Sequence, residues 1–123
     1  MKITSFHPLI LSKDAASVIA TFEALGFERR HTITIHERGT DITTVCMKDA
    51  DGHCVDVADV PSMAQDRTLI RMNVDDFDEA FAMLTAKGFK ATNNACVETK
   101  TNKSCMMVSP SGFAFDLCQH IKD

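Results

Sequence analysis

"KDAASVIATFEALGFE", residues 13–28, aligns without gaps with "DDFDEAFAMLTAKGFK", residues 75–90. Each copy opens with an aspartate that is a natural helix N-cap, Asp14 in the first and Asp76 in the second. Apolar residues then recur at helical spacing. Each copy ends in Gly-Phe, and glycine is the residue that most often terminates a helix in the left-handed conformation. The sequence therefore predicts one helix that occurs twice.

Strand-like segments surround the two helices in the same order. One precedes each helix and three follow it, and the last strand of each copy comes after a turn glycine, in "DGHCVDV" and "SGFAFDL". Each copy therefore reads β-α-β-β-β. The predicted strands are 3–11, 30–37, 41–48 and 51–57 in the first copy, and 68–74, 94–100, 104–109 and 111–117 in the second.

This repeat predicts one α+β domain over residues 1–123. It consists of a first βαβββ module (1–60), a connector (61–67) and a second module (68–123). One helix can cover only one face of its sheet. We expect the two modules to form one curved mixed sheet, with the helices outside and a ligand cup inside.

Composition excludes several classes of function. The chain has 45% hydrophobic and 24% charged residues, with a formal net charge of −4. Without a run of Lys or Arg, no sequence-independent grip on nucleic acid is expected. No apolar stretch reaches membrane-spanning length, and the first residues lack a small-residue cleavage site. We expect a cytoplasmic protein without nucleic-acid or membrane partners.

Five cysteines stand at positions 46, 54, 96, 105 and 118. The number is odd and no two form a C-x-x-C pair, so neither a disulfide framework nor a structural zinc site is predicted. The expectation is five reduced, mostly buried thiols.

Asp56 is a carboxylate inside an apolar strand, "CVDVA". A buried carboxylate is costly unless it is paired, so Asp56 must be hydrated, paired with a cation or bound to a metal. Because side chains alternate along a strand, Asp56 is predicted to line the cup. The same alternation places a further set in the cup: His7, Leu9, Leu11, Cys54, Leu69, Arg71, Asn73, Asp116 and Cys118.

Three segments together resemble the vicinal-oxygen-chelate superfamily, which includes glyoxalase I, extradiol dioxygenases and the bleomycin- and fosfomycin-resistance proteins. They are "FHPLILSKDAAS", "IRMNVDDFDEAFAMLTAKGF" and "SPSGFAFDL". The resemblance covers essentially the whole chain. It implies a homodimer that binds a small molecule in its cup. It also implies a metal site whose ligands come from the first and last strands of each module.

Carried over by position, the resemblance implies the metal ligands His7, Asp56 and Asp116, while Leu69 holds the fourth ligand position. Such a set suits Fe, Mn, Ni or Zn, acting as a Lewis acid. Three features oppose it. Leu69 has no donor atom, both acids are one methylene shorter than the usual Glu, and Arg71 could ion-pair where the metal would sit.

Three functions remain open at this point. The first choice is a glyoxalase/bleomycin-resistance-type protein without a cofactor, which binds a compact, partly apolar molecule carrying an anionic group for Arg71. Its ligand-binding residues would be Leu9, Leu11, Cys54, Leu69, Arg71, Asn73 and Cys118. The alternative is a metal-dependent lyase, isomerase or dioxygenase that uses His7, Asp56 and Asp116. The third is an interaction module. Arg71 could also simply neutralise the two acids.

Overall fold

The computed structural model of the protein describes residues 1–37 and 40–120. The first module contains β1 (Ile3–Ser12), α1 (Ala15–Ala24), β2 (Glu28–Glu37), β3 (Thr40–Lys48) and β4 (Cys54–Asp59). The second contains β5 (Arg67–Val74), α2 (Phe77–Ala86), β6 (Lys90–Glu98), β7 (Asn102–Val108) and β8 (Ala114–His120). The predicted α+β class with two βαβββ modules is confirmed.

Each module builds a mixed sheet, and the strand order is equivalent in the two modules. In the first the strand order is β2-β3-β4-β1, and in the second it is β6-β7-β8-β5. The first strand of each module pairs parallel with the last, β1 with β4 and β5 with β8. The other neighbours are antiparallel. The chain divides into two compact units, one of His7–Thr68 and one of Met1–Phe6 with Leu69–Asp123.

Both helices begin as the sequence predicts. Asp14 Oδ1 accepts a hydrogen bond from the Ser17 N–H at 3.3 Å, and Asp76 Oδ1 accepts one from the Glu79 N–H at 3.1 Å. Each cap satisfies a backbone donor that has no partner within the helix. Both helices have ten residues, and in the part of the chain that the structure describes no helix is long and apolar enough to cross a membrane.

The helix ends also repeat. Beyond α1, Gly26 has a φ of 103° and the next amide, that of Phe27, donates to the carbonyl of Phe22 at 3.0 Å. Beyond α2, Gly88 has a φ of 95°, and the following amide closes the same bond, also at 3.0 Å. Positive φ is cheap only for glycine, so these two residues permit the same sharp exit from both helices.

Each helix covers one face of its own sheet. The first cluster contains Ala15, Ile19, Val45, Met47, Val55 and Val57, and the second contains Met72, Val74, Phe77, Ala80, Cys105, Met107 and Leu117. Equivalent methionines lie at both centres, Met47 and Met107, with 1% and 0% of their surface exposed. Met107 packs beneath α2.

The expectation of five reduced thiols is wrong for two of them. Cys96 on β6 and Cys105 on β7 form a disulfide, with Cα atoms 4.0 Å apart. They are direct partners in the antiparallel register, and cross-strand neighbours of this kind lie close enough to bond. Neither C-x-x-C spacing nor an odd number of cysteines reveals a cross-strand pair. Cys46, Cys54 and Cys118 are reduced thiols outside the disulfide, as predicted.

The connector after β4 is held to the start of α1 by Asp66. Its Oδ2 accepts a hydrogen bond from the hydroxyl of Ser12 at 2.7 Å, and its Oδ1 accepts one from the Lys13 N–H at 3.1 Å. Ser12 is fully buried, and its Oγ in turn accepts the Asp14 N–H at 3.0 Å. The bonds from Ser12 and Lys13 lower the pKa of Asp66 below its usual value.

We expect Asp66→Asn to lower the urea midpoint of unfolding at pH 7, because it removes a charged acceptor of two hydrogen bonds. The pKa of Asp66 is lower in the folded state, so its contribution is complete above about pH 3.9, the usual pKa of Asp, and is lost as the pH falls further. The midpoints of wild type and variant should therefore converge in acid. Asp59→Asn, at another exposed carboxylate, is the control. Equal midpoints of wild type and Asp66→Asn at pH 7 would contradict this role.

Candidate functional site

The distal face of each module is the face of its sheet opposite the helix. In the first module Val55 and Val57 of β4 pack beneath α1, so alternation places Asp56 on the distal face. On β1, Ile10 packs towards α1, which places His7 on the distal face as well. Parallel pairing of β1 with β4 brings these two polar side chains together.

His7 and Asp56 are paired. His7 Nε2 lies 2.9 Å from Asp56 Oδ2, and the two side chains are 14% and 6% exposed. An ionised carboxylate only accepts hydrogen bonds, so the imidazole donates from Nε2. Of the three fates that the sequence allowed for Asp56, the structure shows pairing.

The second module pairs its acid with a guanidinium. Met72 of β5 and Leu117 of β8 pack beneath α2, which leaves Arg71 and Asp116 on the distal face. They stand directly opposite each other in the parallel register. Arg71 Nε donates to Asp116 Oδ2 at 2.8 Å, and both side chains are 15% exposed. A charge-assisted bond in so sheltered a position is strong and directional.

The two modules arrange a basic residue and a leucine in opposite order. In the first, Leu9 stands opposite the acid, Asp56, in the register, and the basic His7 lies two residues earlier. In the second, Leu69 takes the earlier position and Arg71 stands opposite the acid. One acid is therefore held by its direct cross-strand neighbour, and the other by a side chain that reaches along the strand.

The remaining predicted site residues lie on the same distal faces. Leu9 and Leu69 are 3% exposed and Cys118 is 5% exposed, so the paired charges have apolar neighbours. The amide of Asn73 donates to Ser5 Oγ at 2.8 Å. The unit of His7–Thr68 carries His7, Leu9, Leu11, Cys54 and Asp56, and the other unit carries Leu69, Arg71, Asn73, Asp116 and Cys118. Their roles in binding stay predictions.

The donor set does not fit the four-ligand metal centre that the resemblance implies. Leu69 supplies no donor atom, and Asp116 Oδ2 already accepts from Arg71, whose positive charge disfavours a nearby dication. The three-residue set of His7, Asp56 and Asp116 draws on both units and stays a prediction.

A group that the sequence reasoning missed lies in the turn between β3 and β4. Possible ligand atoms of Asp49, Asp51 and His53 all lie within 4.8 Å of one another, the one such group of three among residues 1–37 and 40–120. His53 Nδ1 lies 2.8 Å from Asp49 Oδ2. Asp49 Oδ1 accepts the backbone N–H groups of Asp51 and His53 at 3.0 and 2.8 Å. In the sequence, the Asp-x-Asp-x-His spacing of residues 49–53 could have indicated this group.

These bonds shift two pKa values in this turn. The hydrogen bond to Asp49 raises the pKa of His53. Partial desolvation acts to raise the pKa of Asp49, but the hydrogen bonds from His53 outweigh it, and that pKa is lowered. Because the carboxylate of Asp49 already accepts hydrogen bonds from two backbone N–H groups of the turn, we interpret the group as a turn-stabilising cluster.

Solved structures resemble the chain along its full length. One is a glyoxalase/bleomycin resistance protein/dioxygenase superfamily member from Vibrio splendidus 12B01, with 20% identity, a TM-score of 0.62 and coverage of 96% of this chain and 99% of that one. A protein from Bacillus halodurans C-125 has 11% identity, a TM-score of 0.73 and coverage of 100% and 98%. At the level of sequence, no family profile and no curated protein matches the chain.

A mutant of glyoxalase I from Zea mays shows the same architecture within a longer chain. It is 14% identical, with a TM-score of 0.65, and the match covers 98% of this chain but 44% of the maize protein. The chain has the vicinal-oxygen-chelate fold. At these identities the likeness concerns the fold alone, so the chemistry of this chain has to be argued from its own residues.

A double-mutant cycle tests the Arg71–Asp116 pair. We expect Arg71→Met to cost about 3–5 kcal/mol of unfolding free energy, because it leaves Asp116 sheltered without this cation. The double variant Arg71→Met/Asp116→Leu should recover most of that loss, since a buried ion pair and an apolar pair of similar volume are often close in free energy. Urea unfolding measures the unfolding free energies of the single and the double variant.

Arg67→Met, at the exposed first residue of β5, is the matched control and should change stability little. If Arg71→Met were as mild as this control, or if the two single losses simply added, the pair would not be a sheltered charge interaction.

Proposed function

We propose that the protein binds a small, partly apolar molecule with an anionic group through the distal faces of its modules, without the standard four-ligand metal centre. The observation that carries the proposal is the bond from Arg71 Nε to Asp116 Oδ2 at 2.8 Å. The guanidinium thereby engages Asp116, the carboxylate of the second module that the family resemblance implies as a metal ligand.

The surroundings of Arg71 support an anionic, partly apolar ligand. A carboxylate or phosphate on the ligand would accept hydrogen bonds from the Arg71 guanidinium, whose planar array of five N–H donors matches such oxyanions. In the unit that carries Arg71, the side chains of Leu69 and Cys118 on the same distal face are apolar. We expect this anion to add to the guanidinium without displacing Asp116 from Nε, because a sheltered carboxylate that loses its cation is costly.

The solved structures of this fold agree with the proposal only at the level of architecture. The glyoxalase/bleomycin resistance protein/dioxygenase member from Vibrio splendidus and the maize glyoxalase I mutant share the two-module fold. Proteins of one fold carry different chemistries on different side chains. The proposal therefore depends on Arg71 and the paired acids of this chain.

One observation favours a second candidate, a divalent-metal-dependent lyase, isomerase or dioxygenase. His7 Nε2 and Asp56 Oδ2 are ligand-type atoms from two strands, 2.9 Å apart on one face. Imidazole and carboxylate are common ligands of Fe, Mn, Ni and Zn. With Asp116, they are the residues that would hold such an ion.

Metal content separates the two candidates. We expect tag-free protein purified without chelators to contain Fe, Mn, Ni and Zn only at background levels by plasma mass spectrometry. Its thermal midpoint should not change with EDTA or with added divalent ions. A near-stoichiometric metal, removed by EDTA together with thermal stability and absent from His7→Ala, would replace the binding proposal with the enzyme.

Ligand binding is tested with a matched panel of small carboxylates, phosphates and their neutral amides. We expect at least one anionic member to raise the thermal midpoint of wild type and of Arg67→Met, because a ligand that binds only the folded state stabilises it. The matching amide should have a much smaller effect. The variant Arg71→Met/Asp116→Leu keeps an apolar pair in place of the ion pair and should lose the response.

Isothermal titration then gives the affinity directly. An unchanged affinity in a folded variant without Arg71 would mean that Arg71 only neutralises the acids. Equal responses to the anions and their amides would argue against an anionic ligand.

A further inference from the structure

We propose that the Cys96–Cys105 disulfide is a reversible thiol–disulfide switch that holds the end of β6 against β7 when oxidised and releases it when reduced. The two sulfurs differ in access. Cys96 is exposed, whereas Cys105 is 5% exposed and packs in the core beneath α2. One sulfur can therefore meet a thiol from solution while the other stays in place.

The disulfide joins the first residue pair that follows an interruption in the hydrogen-bonded ladder between β6 and β7. Ala91 pairs with Met107 and Cys96 with Cys105, so residues 92–95 of β6 lie opposite the single residue Met106. A bulge of this kind interrupts pairing between strands. Beyond it, β6 has three register pairs with β7, at Cys96, Val97 and Glu98, and β6 is the last strand in the order of its sheet.

The first module supplies an internal comparison. At the equivalent place, the register shifts by one residue between Arg29 and His31, and the next pair is Thr32 with Val45. There the strands continue for several more pairs and need no covalent bond. The longer bulge and the shorter ladder of the second module coincide with the disulfide. The bond thus substitutes for pairing that β6 lacks.

The cysteine inventory points to a redox-active bond instead of a permanent one. Three cysteines of the same chain, Cys46, Cys54 and Cys118, are thiols that form no disulfide. In a reducing compartment, such as the cytoplasm that the sequence predicts, disulfides are usually transient or redox-sensing. An exposed disulfide at a strand edge is also open to exchange.

The switching step is thiol–disulfide exchange with a small-molecule thiol. Its thiolate attacks Cys96 Sγ, the S–S bond breaks, and Cys105 leaves as a thiolate that takes up a proton. A second thiol attacks the outer sulfur of the mixed disulfide, which frees Cys96 as a thiol and leaves the small molecule oxidised to its disulfide. In the reverse direction the small-molecule disulfide forms a mixed disulfide with Cys96. Cys105, which stays in the core, then attacks Cys96 Sγ and closes the bond within the chain, releasing the small-molecule thiol.

The released segment borders the row of residues that contains the Arg71–Asp116 pair. Met106, which lies opposite the bulge, is the cross-strand partner of Asp116 on β8, and Asp116 is the partner of Arg71 on β5. The switch is defined by the two cysteines and β6, and its test does not require the proposed ligand.

Thiol counting on the folded full-length chain is the first experiment. Protein purified without reductant, then denatured and labelled with maleimide, should carry three labels per chain by intact mass. After native incubation with dithiothreitol, acid quench and denaturation, it should carry five. The matched control Cys54→Ser should show two and then four, the same gain of two. Glutathione should give an adduct on Cys96 that peptide mapping identifies.

Hydrogen exchange is the second experiment. Reduction should remove most of the protection of the backbone amides in 96–98, while β8 and α2 keep theirs. Cys96→Ser should show the reduced pattern without reductant, because the substitution removes the bond at its exposed end.

Three outcomes overturn the proposal. Five labels before reduction would mean that the bond does not form. Three labels after native dithiothreitol, with five only after reduction in denaturant, would make it a permanent cross-link. Unchanged exchange in 96–98 on reduction would show that the bond does not control β6.

Discussion

The cost of placing a carboxylate within a sheet governs the arrangement of this molecule. Each module has one aspartate in the middle of its last strand, Asp56 or Asp116, where the neighbouring side chains pack into a core. A carboxylate so sheltered is tolerated only with a charged or hydrogen-bonding partner. The partners come from the first strand of the same module. The parallel pairing of first and last strands therefore has a chemical consequence as well as a topological one.

The modules meet this requirement with different partners. Arg71 stands directly opposite its acid in the register, and a guanidinium keeps its charge at any physiological pH. The first module uses the imidazole of His7, two residues before the corresponding position, which pairs with Asp56 through Nε2. The pair in the second module is therefore a fixed ion pair. A duplicated module has thus acquired two unlike polar centres through the placement of one leucine and one basic residue.

Sequence reasoning predicted the features that depend on local physics. The caps at Asp14 and Asp76 follow from side-chain chemistry at a helix start. The distal placement of Asp56 and Arg71 follows from strand alternation once the core face is known. Features that depend on register were not predicted. The Cys96–Cys105 disulfide requires knowing which residues of two strands lie opposite each other, and the bulge in β6 shifts that register by several residues.

The same limit applies to the polar contacts that join distant parts of the chain. Nothing in the pattern around Ser12 indicates that its buried hydroxyl would be satisfied by Asp66, since their contact depends on the path of the connector. From the sequence, an ion pair between Arg71 and Asp116 was one of several alternatives. The structure shows that contact.

The difference between the two sheet edges bears on how such a repeat diverges. In the first module the ladder between β2 and β3 recovers after a one-residue shift and continues to Glu37 and Thr40. In the second, the longer bulge leaves three pairs beyond the interruption. Hydrogen bonds at the end of a short ladder open easily, so an edge strand with this bulge would fray unless something else held it. A covalent bond at the first pair after the bulge holds the strand at the point where fraying would begin. Because thiols can break this bond, the order of the edge strand in the second module depends on redox conditions. The edge strand of the first module is held by its longer ladder and has no such dependence.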